Sequence, residues 1–133
     1  MTAETDGPPR RIRVLLVDDD ALVRAGLTMM LDGAHGIEVV GEAADGGEVP
    51  AAVDVHAPDV VLMDLRMPGT NGVQATRTLG ISRPDIAVVV LTTMEDDEWL
   101  PAALAAGATS FLTKGASSQD IRRAVLAAGD RSR

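Results

Sequence analysis

Short apolar runs alternate along this chain with longer amphipathic stretches. Ile12–Val17, Ile37–Glu42, Asp59–Met63, Ile86–Leu91 and Ser110–Thr113 read as strands. Three of them are β-branched and almost continuously apolar, as expected of parallel strands covered by helices on both faces. Between the runs, Ala21–Leu31, Gly47–His56, Gly72–Leu79, Asp96–Ala106 and Ser118–Ala128 carry apolar residues at helical spacing. The chain thus reads β-α five times, which predicts one doubly wound α/β sandwich rather than a bundle or a β-sandwich, and no internal repeat suggests a solenoid. Residues 1–11, with Gly7-Pro8-Pro9 and no periodicity, predict a mobile tail.

Two helices contain proline. Pro50 and Pro101 are tolerable in a first turn, but Pro101 lies five residues past Asp96, where it would remove a backbone donor and bend the helix. The fourth helix is therefore expected to be short or adjustable.

The length of 133 residues suits a single domain. Only 2% of residues are aromatic, so Val, Leu, Ile, Ala and Met must fill the core. The absence of cysteine removes disulfide scaffolds, thiol catalysis and Cys-ligated zinc, and fits a reducing cytoplasm. No signal peptide opens the chain and no apolar run approaches the ~18 residues of a membrane span. A net charge of −8 argues against this surface gripping nucleic acid. Eleven of the cations are Arg, and Lys114 is the single Lys.

In an open parallel sheet, residues just past the carboxyl ends of the strands converge on one rim, where ligands bind. The first strand delivers Asp18-Asp19-Asp20 to that rim, the third Asp64, the fourth Thr92-Thr93 and the fifth Lys114. An aspartate after a strand is most often a helix cap, and Asp20 fits that role. A capping role does not account for three acids, a Thr and the only Lys falling together. Packed carboxylates raise one another's cost of ionising unless a cation joins them. With no His or Cys nearby, the cation expected is Mg²⁺ or Mn²⁺, a pattern suited to phosphoryl chemistry. Asp64 could then be a carboxylate nucleophile, Lys114 a point charge for phosphoryl oxygens, and Thr92 a hydrogen-bond donor to one of them.

These segments resemble the bacterial response-regulator receiver domain from about Ile12 to Ala128. "VLLVDDDALVRAGL" is similar to the family's acidic pair and first helix, "PDVVLMDLRMPGTNG" to its phosphoacceptor segment, "VVVLTT" to its switch threonine and "ALAAGATSFLTK" to its aromatic-x-x-Lys ending. The phrases "LVRAGL", "EVVGEA" and "GATSFLTK" most resemble the NarL/LuxR-type subgroup. The resemblance implies a flavodoxin-like (βα)5 fold with strand order 2-1-3-4-5, a receiver over 12–129 and a linker or tail over 130–133. It implies that Asp64 accepts a phosphoryl group from a sensor histidine kinase. Asp19 and Asp64, with the Arg66 carbonyl, would hold Mg²⁺, and Asp18 would support the ion through water. Thr92 and Lys114 would contact the phosphoryl group, and Phe111 would turn inward as a switch when Thr92 moves. Departures from the family pattern are Gly115 after the Lys, which loosens that loop, Ser110 in place of a Gly, and Pro101.

The expected function is a self-modifying, phosphorylation-operated switch of a two-component system, cytoplasmic and not a turnover enzyme. It is expected to form a homodimer, with phosphorylation able to control assembly. The subgroup implies transcriptional output through a helix-turn-helix domain beyond Arg133. The nearest alternative is a stand-alone or phosphate-independent receiver acting by protein contact. A haloacid-dehalogenase-like phosphatase is disfavoured because Arg66 stands where a second acid would be needed, and a flavin module because aromatics are scarce.

Overall fold

The computed structural model describes residues 11–33, 36–93 and 98–132. The five apolar runs become β1 (Ile12–Val17), β2 (Ile37–Ala43), β3 (Val60–Asp64), β4 (Ala87–Thr92) and β5 (Ser110–Thr113). They are joined by α1 (Ala21–Leu31), α2 (Val49–His56), α3 (Gly72–Ser82) and α4 (Leu100–Ala105), and α5 (Ser118–Ser132) follows β5. Every pairing is parallel and the order is β2-β1-β3-β4-β5, the flavodoxin-like arrangement. The direction of winding reverses between β1 and β3, so a crevice opens beyond the carboxyl ends of those two strands.

The two-residue side-chain period divides each inner strand between two cores. Leu15, Val17, Val61, Met63, Val88 and Val90 pack with Val53 of α2, Leu79 of α3 and Ala103 of α4. Val14, Leu16, Val60, Leu62, Val89 and Leu91 pack with Leu27 of α1 and Ile121 and Val125 of α5. Each such side chain contributes roughly 1.5–3 kcal/mol by leaving water, which explains why β1, β3 and β4 tolerate almost no polar residue until their ends. Asp18 and Asp64 continue the even-numbered series that faces α1 and α5. Thr92 continues the series of Val88 and Val90 towards the opposite layer.

Local chemistry sets the helix starts. Asp20 caps α1, its carboxylate accepting the Leu22 N–H at 2.9 Å. Asn71 and Gln74 form a reciprocal capping box at α3, each side chain accepting the other's backbone N–H at 2.9 Å. Beside β1, β2 carries one extra residue: Val14 pairs with Val39 and Leu15 with Gly41. A Cβ at position 41 would overlap the His56 ring, so a larger residue there would have to displace that side chain.

Some expected boundaries move. The helix expected over Gly47–His56 divides into a 3-10 turn, Gly46–Glu48, and α2. Gly46 donates to the Thr70 carbonyl at 3.0 Å, and this tertiary contact fixes the tighter turn. Pro50 and Pro101 both lie in the first turn of their helices, where a missing N–H leaves no intrahelical bond unmade. The bend expected at Pro101 is thus replaced by a later helix start, and α4 is short at six residues. The expected Asp96 start, Arg133 and the tail over 1–10 lie outside the described residues; of the tail, Arg11 alone is described and lies in no helix or strand. Among the described residues, no helix is long and apolar enough to cross a membrane.

Candidate functional site

The crevice past β1 and β3 is a cleft of about 320 Å³. Asp18, Asp19, Asp64 and Lys114 line it, with Arg66 and Thr93 at its sides and Asp20 at the turn into α1. Asp18 and Asp64 are buried, at 1% and 2% exposure, while Asp19 is exposed. The apolar body of β3 thus carries a carboxylate to a place where water reaches it only from the cleft.

Lys114 leaves β5 and bridges the two buried acids. Its ammonium lies 3.1 Å from Asp64 Oδ1 and 3.1 Å from Asp18 Oδ2. Asp18 Oδ2 is buried, and its partner is that ammonium. The other oxygen of Asp18 accepts the Asp20 N–H at 2.8 Å. Burial, and then the charge of Asp18, push the Asp64 carboxyl up to about 6, against the pull of Lys114 and a backbone N–H from Arg66. Burial works against the Lys114 charge, but Asp64 and Asp18 outweigh it and hold the ammonium above its ordinary range.

The cluster fits a divalent cation. One carboxylate oxygen from each of Asp18, Asp19 and Asp64 lies within 4.8 Å of the others. Two buried acids share one ammonium, which leaves the pair short of positive charge. Hard oxygens alone, with no sulfur or imidazole among the lining residues, suit Mg²⁺ or Mn²⁺ over zinc or copper.

Two other expected residues sit differently. Thr92 is buried and does not line the cleft; its hydroxyl donates to the Leu112 carbonyl at the long distance of 3.5 Å. Its neighbour Thr93 lines the cleft instead. Phe111 stands outward, 47% exposed, and takes no part in the cleft. Gly115 needs no left-handed backbone, since its φ is not among the positive values.

Arg24 was not foreseen. From α1 it donates through Nη1 to the Asp18 carbonyl at 2.5 Å and through Nε to Glu42 on β2 at 2.6 Å. That fork ties α1 and β2 to Asp18, the first residue of the acidic turn. A lone Arg on a helix gives no sequence signal for such a brace.

Comparison with known proteins agrees with the geometry. The family described as the response regulator receiver domain matches residues 14–126. The response regulator GacA of Pseudomonas viridiflava is 47% identical over 114 residues, 86% of this chain and 53% of GacA. UvrY of Escherichia coli K12, also a response regulator, is 42% identical over 86% of this chain and 52% of its own length. The chain therefore spans about half the length of these curated relatives. Among solved structures, the signal receiver domain of the response regulator NarL from Mycobacterium tuberculosis superposes with a TM-score of 0.85 at 33% identity, covering 92% of this chain and 98% of that one.

Proposed function

Because this chain belongs to the response regulator receiver domains, of the NarL/LuxR type, we propose that it is a phosphorylation-operated switch whose acceptor is Asp64. The observation that carries this reading is a buried carboxylate, at the end of the central strand, facing a second acid and an ammonium at 3.1 Å. An acceptor must be ionised to attack phosphorus, and a carboxyl raised to about 6 is mostly ionised at neutral pH.

In the transfer, an Asp64 Oδ forms a bond to phosphorus as the bond to the donor's leaving atom breaks and the leaving group takes the electron pair. Phosphoryl transfer needs positioning and charge stabilisation more than covalent help. Lys114 sits where it can move from carboxylate to phosphoryl oxygens, and Thr92 can contact them after a shift of β4. A divalent ion held by Asp19, Asp64 and the Arg66 carbonyl, with Asp18 behind it, would supply further positive charge when bound. The same groups serve hydrolysis, so the domain acts on itself and does not turn over a separate substrate.

The donor is a phosphohistidine of a sensor histidine kinase, as two-component signalling requires. The receiver begins at residue 12, and α5 carries it past the expected boundary at 129 to Ser132, so the stretch expected as a linker or tail, 130–133, starts out as helix. Output runs through transcription by a DNA-binding domain beyond this segment, in a cytoplasmic, dimeric protein, with Phe111 turning inward beside Thr92. The decisive experiment is incubation with Mg²⁺ and acetyl phosphate followed by intact mass. A phosphate-sized gain lost in Asp64→Asn is expected; no gain under conditions that label a control receiver would reject the reading.

A further inference from the structure

Arg66 follows the acceptor strand by two residues and lines the cleft with its exposed side chain. Its guanidinium carbon lies 5.4 Å from the centroid of the Trp99 ring. Trp99 is half-buried against the core under α2, α3 and α4, and is the residue immediately before α4. A single side chain thus reaches from the acidic cleft to the start of a six-residue helix.

We propose that Trp99 is a positioning residue that holds the Arg66 guanidinium beside the cleft, and that a phosphoryl group on Asp64 draws the guanidinium off the indole. The inference rests on the reading of Asp64 as acceptor. Four acids and one ammonium line the cleft before transfer, and Arg66 lines it with them. Transfer replaces the single charge of the Asp64 carboxylate with a phosphoryl group of formal charge near −2 and strong acceptor oxygens. A charge-assisted hydrogen bond to those oxygens is stronger than a cation–π contact at an exposed site. Arg66 is therefore drawn towards those oxygens, and Trp99, just before α4, loses this contact. Arginine suits this exchange because its planar guanidinium both stacks on aromatic faces and forks onto phosphate.

Trp99 is the only tryptophan in the chain, so its emission reports on the contact directly. The full chain is loaded with Mg²⁺, acetyl phosphate is added, and emission and intact mass are followed together. The expected result is a shift in emission maximum and intensity that develops and decays with the phosphate-sized mass gain. The Arg66 side-chain proton resonances should lose their ring-current shift on the same time course. Arg66→Met should begin with altered emission and show no further shift. A mass gain without movement of either the emission or the Arg66 resonances would overturn the proposal, as would an equal shift in Arg66→Met. Absence of any mass gain would instead reject Asp64 as acceptor, and the proposal with it.

Discussion

Gly72 packs so closely on the backbone of Asp64 that a Cβ at that position would overlap the Asp64 carbonyl oxygen and lie 2.7 Å from the Leu65 Cα. The neighbour is backbone and cannot turn aside. The Gly72 N–H also donates to the Leu65 carbonyl at 2.9 Å, tying the first turn of α3 to the strand that carries Asp64. Gly72→Ala is expected to cost about 1–3 kcal/mol, the usual range for overpacking. Gly26 on α1 has nothing within 4 Å of its would-be Cβ, so Gly26→Ala should instead stabilise by roughly 0.5–1 kcal/mol. Urea denaturation of the two variants checks both signs.

Asp64→Asn should make the metal-free domain more stable at neutral pH. The folded-state carboxyl is raised from 3.8 to about 6, so ionising it opposes folding. That penalty is absent below the unfolded value, grows as pH rises from 3.8 to about 6, and is complete above it. A shift of this size corresponds to roughly 3 kcal/mol by the value of one pKa unit. Asparagine removes the penalty, less what Lys114 loses in a partner. Lys114, raised in the fold, contributes stability that is fully present below its ordinary value and is lost only as pH rises through the folded value. Thermal unfolding with chelator from pH 4 to 8 should show the variant's advantage shrinking as pH falls; an advantage independent of pH would contradict it.

Added Mg²⁺ should raise the unfolding temperature. A ligand that binds only the folded state contributes about 2.7 kcal/mol at one hundred times its Kd, and chelator should remove the whole gain. Protons compete for the ligand oxygens, so the gain should fall as pH drops through about 6, where Asp64 titrates. Asp19→Asn leaves the exposed side chain its shape but removes a ligand charge, and should weaken binding at least the roughly tenfold typical of losing a supporting partner. A titration followed by calorimetry separates this from any change in the fold.

β1, α1 and β5 run over the residues that their hydrophobic pattern predicts, and β3 and β4 differ by one residue at each end. Inner parallel strands carry a strong signal because both faces are buried. The pattern failed where a distant contact sets the local structure, as at the Gly46–Glu48 turn pressed on Thr70. The acids and Lys114 were readable because strand ends in this topology share one rim. Choosing between Thr92 and Thr93 was not, since adjacent residues leave a strand on opposite faces and the end of β4 decides which one meets the cleft. Arg24, Gly72 and the Arg66 contact with Trp99 depend on partners 18, 8 and 33 positions away, a pairing that no local pattern encodes.

Arg24→Lys should behave as a loss and not as a conservative change. The Arg24 side chain is mostly buried, at 17% exposure, and uses two nitrogens for two different partners, Asp18 O at 2.5 Å and Glu42 Oε1 at 2.6 Å. A lysine offers one compact ammonium and can reach one of them at a time. Losing a hydrogen bond to a charged group costs roughly 1.5–3 kcal/mol, discounted here because Glu42 is partly in water. A net loss of about 1–2 kcal/mol follows for Arg24→Lys, and a larger one for Arg24→Ala, where the Asp18 carbonyl also loses its donor. The released carbonyl frees the Asp18-Asp19 turn, so both variants should also bind Mg²⁺ more weakly than their stability alone would predict. Denaturation curves and Mg²⁺ titrations on the same samples separate the two effects; unchanged Mg²⁺ affinity in a destabilised Arg24→Ala would show that the brace serves the fold and not the site.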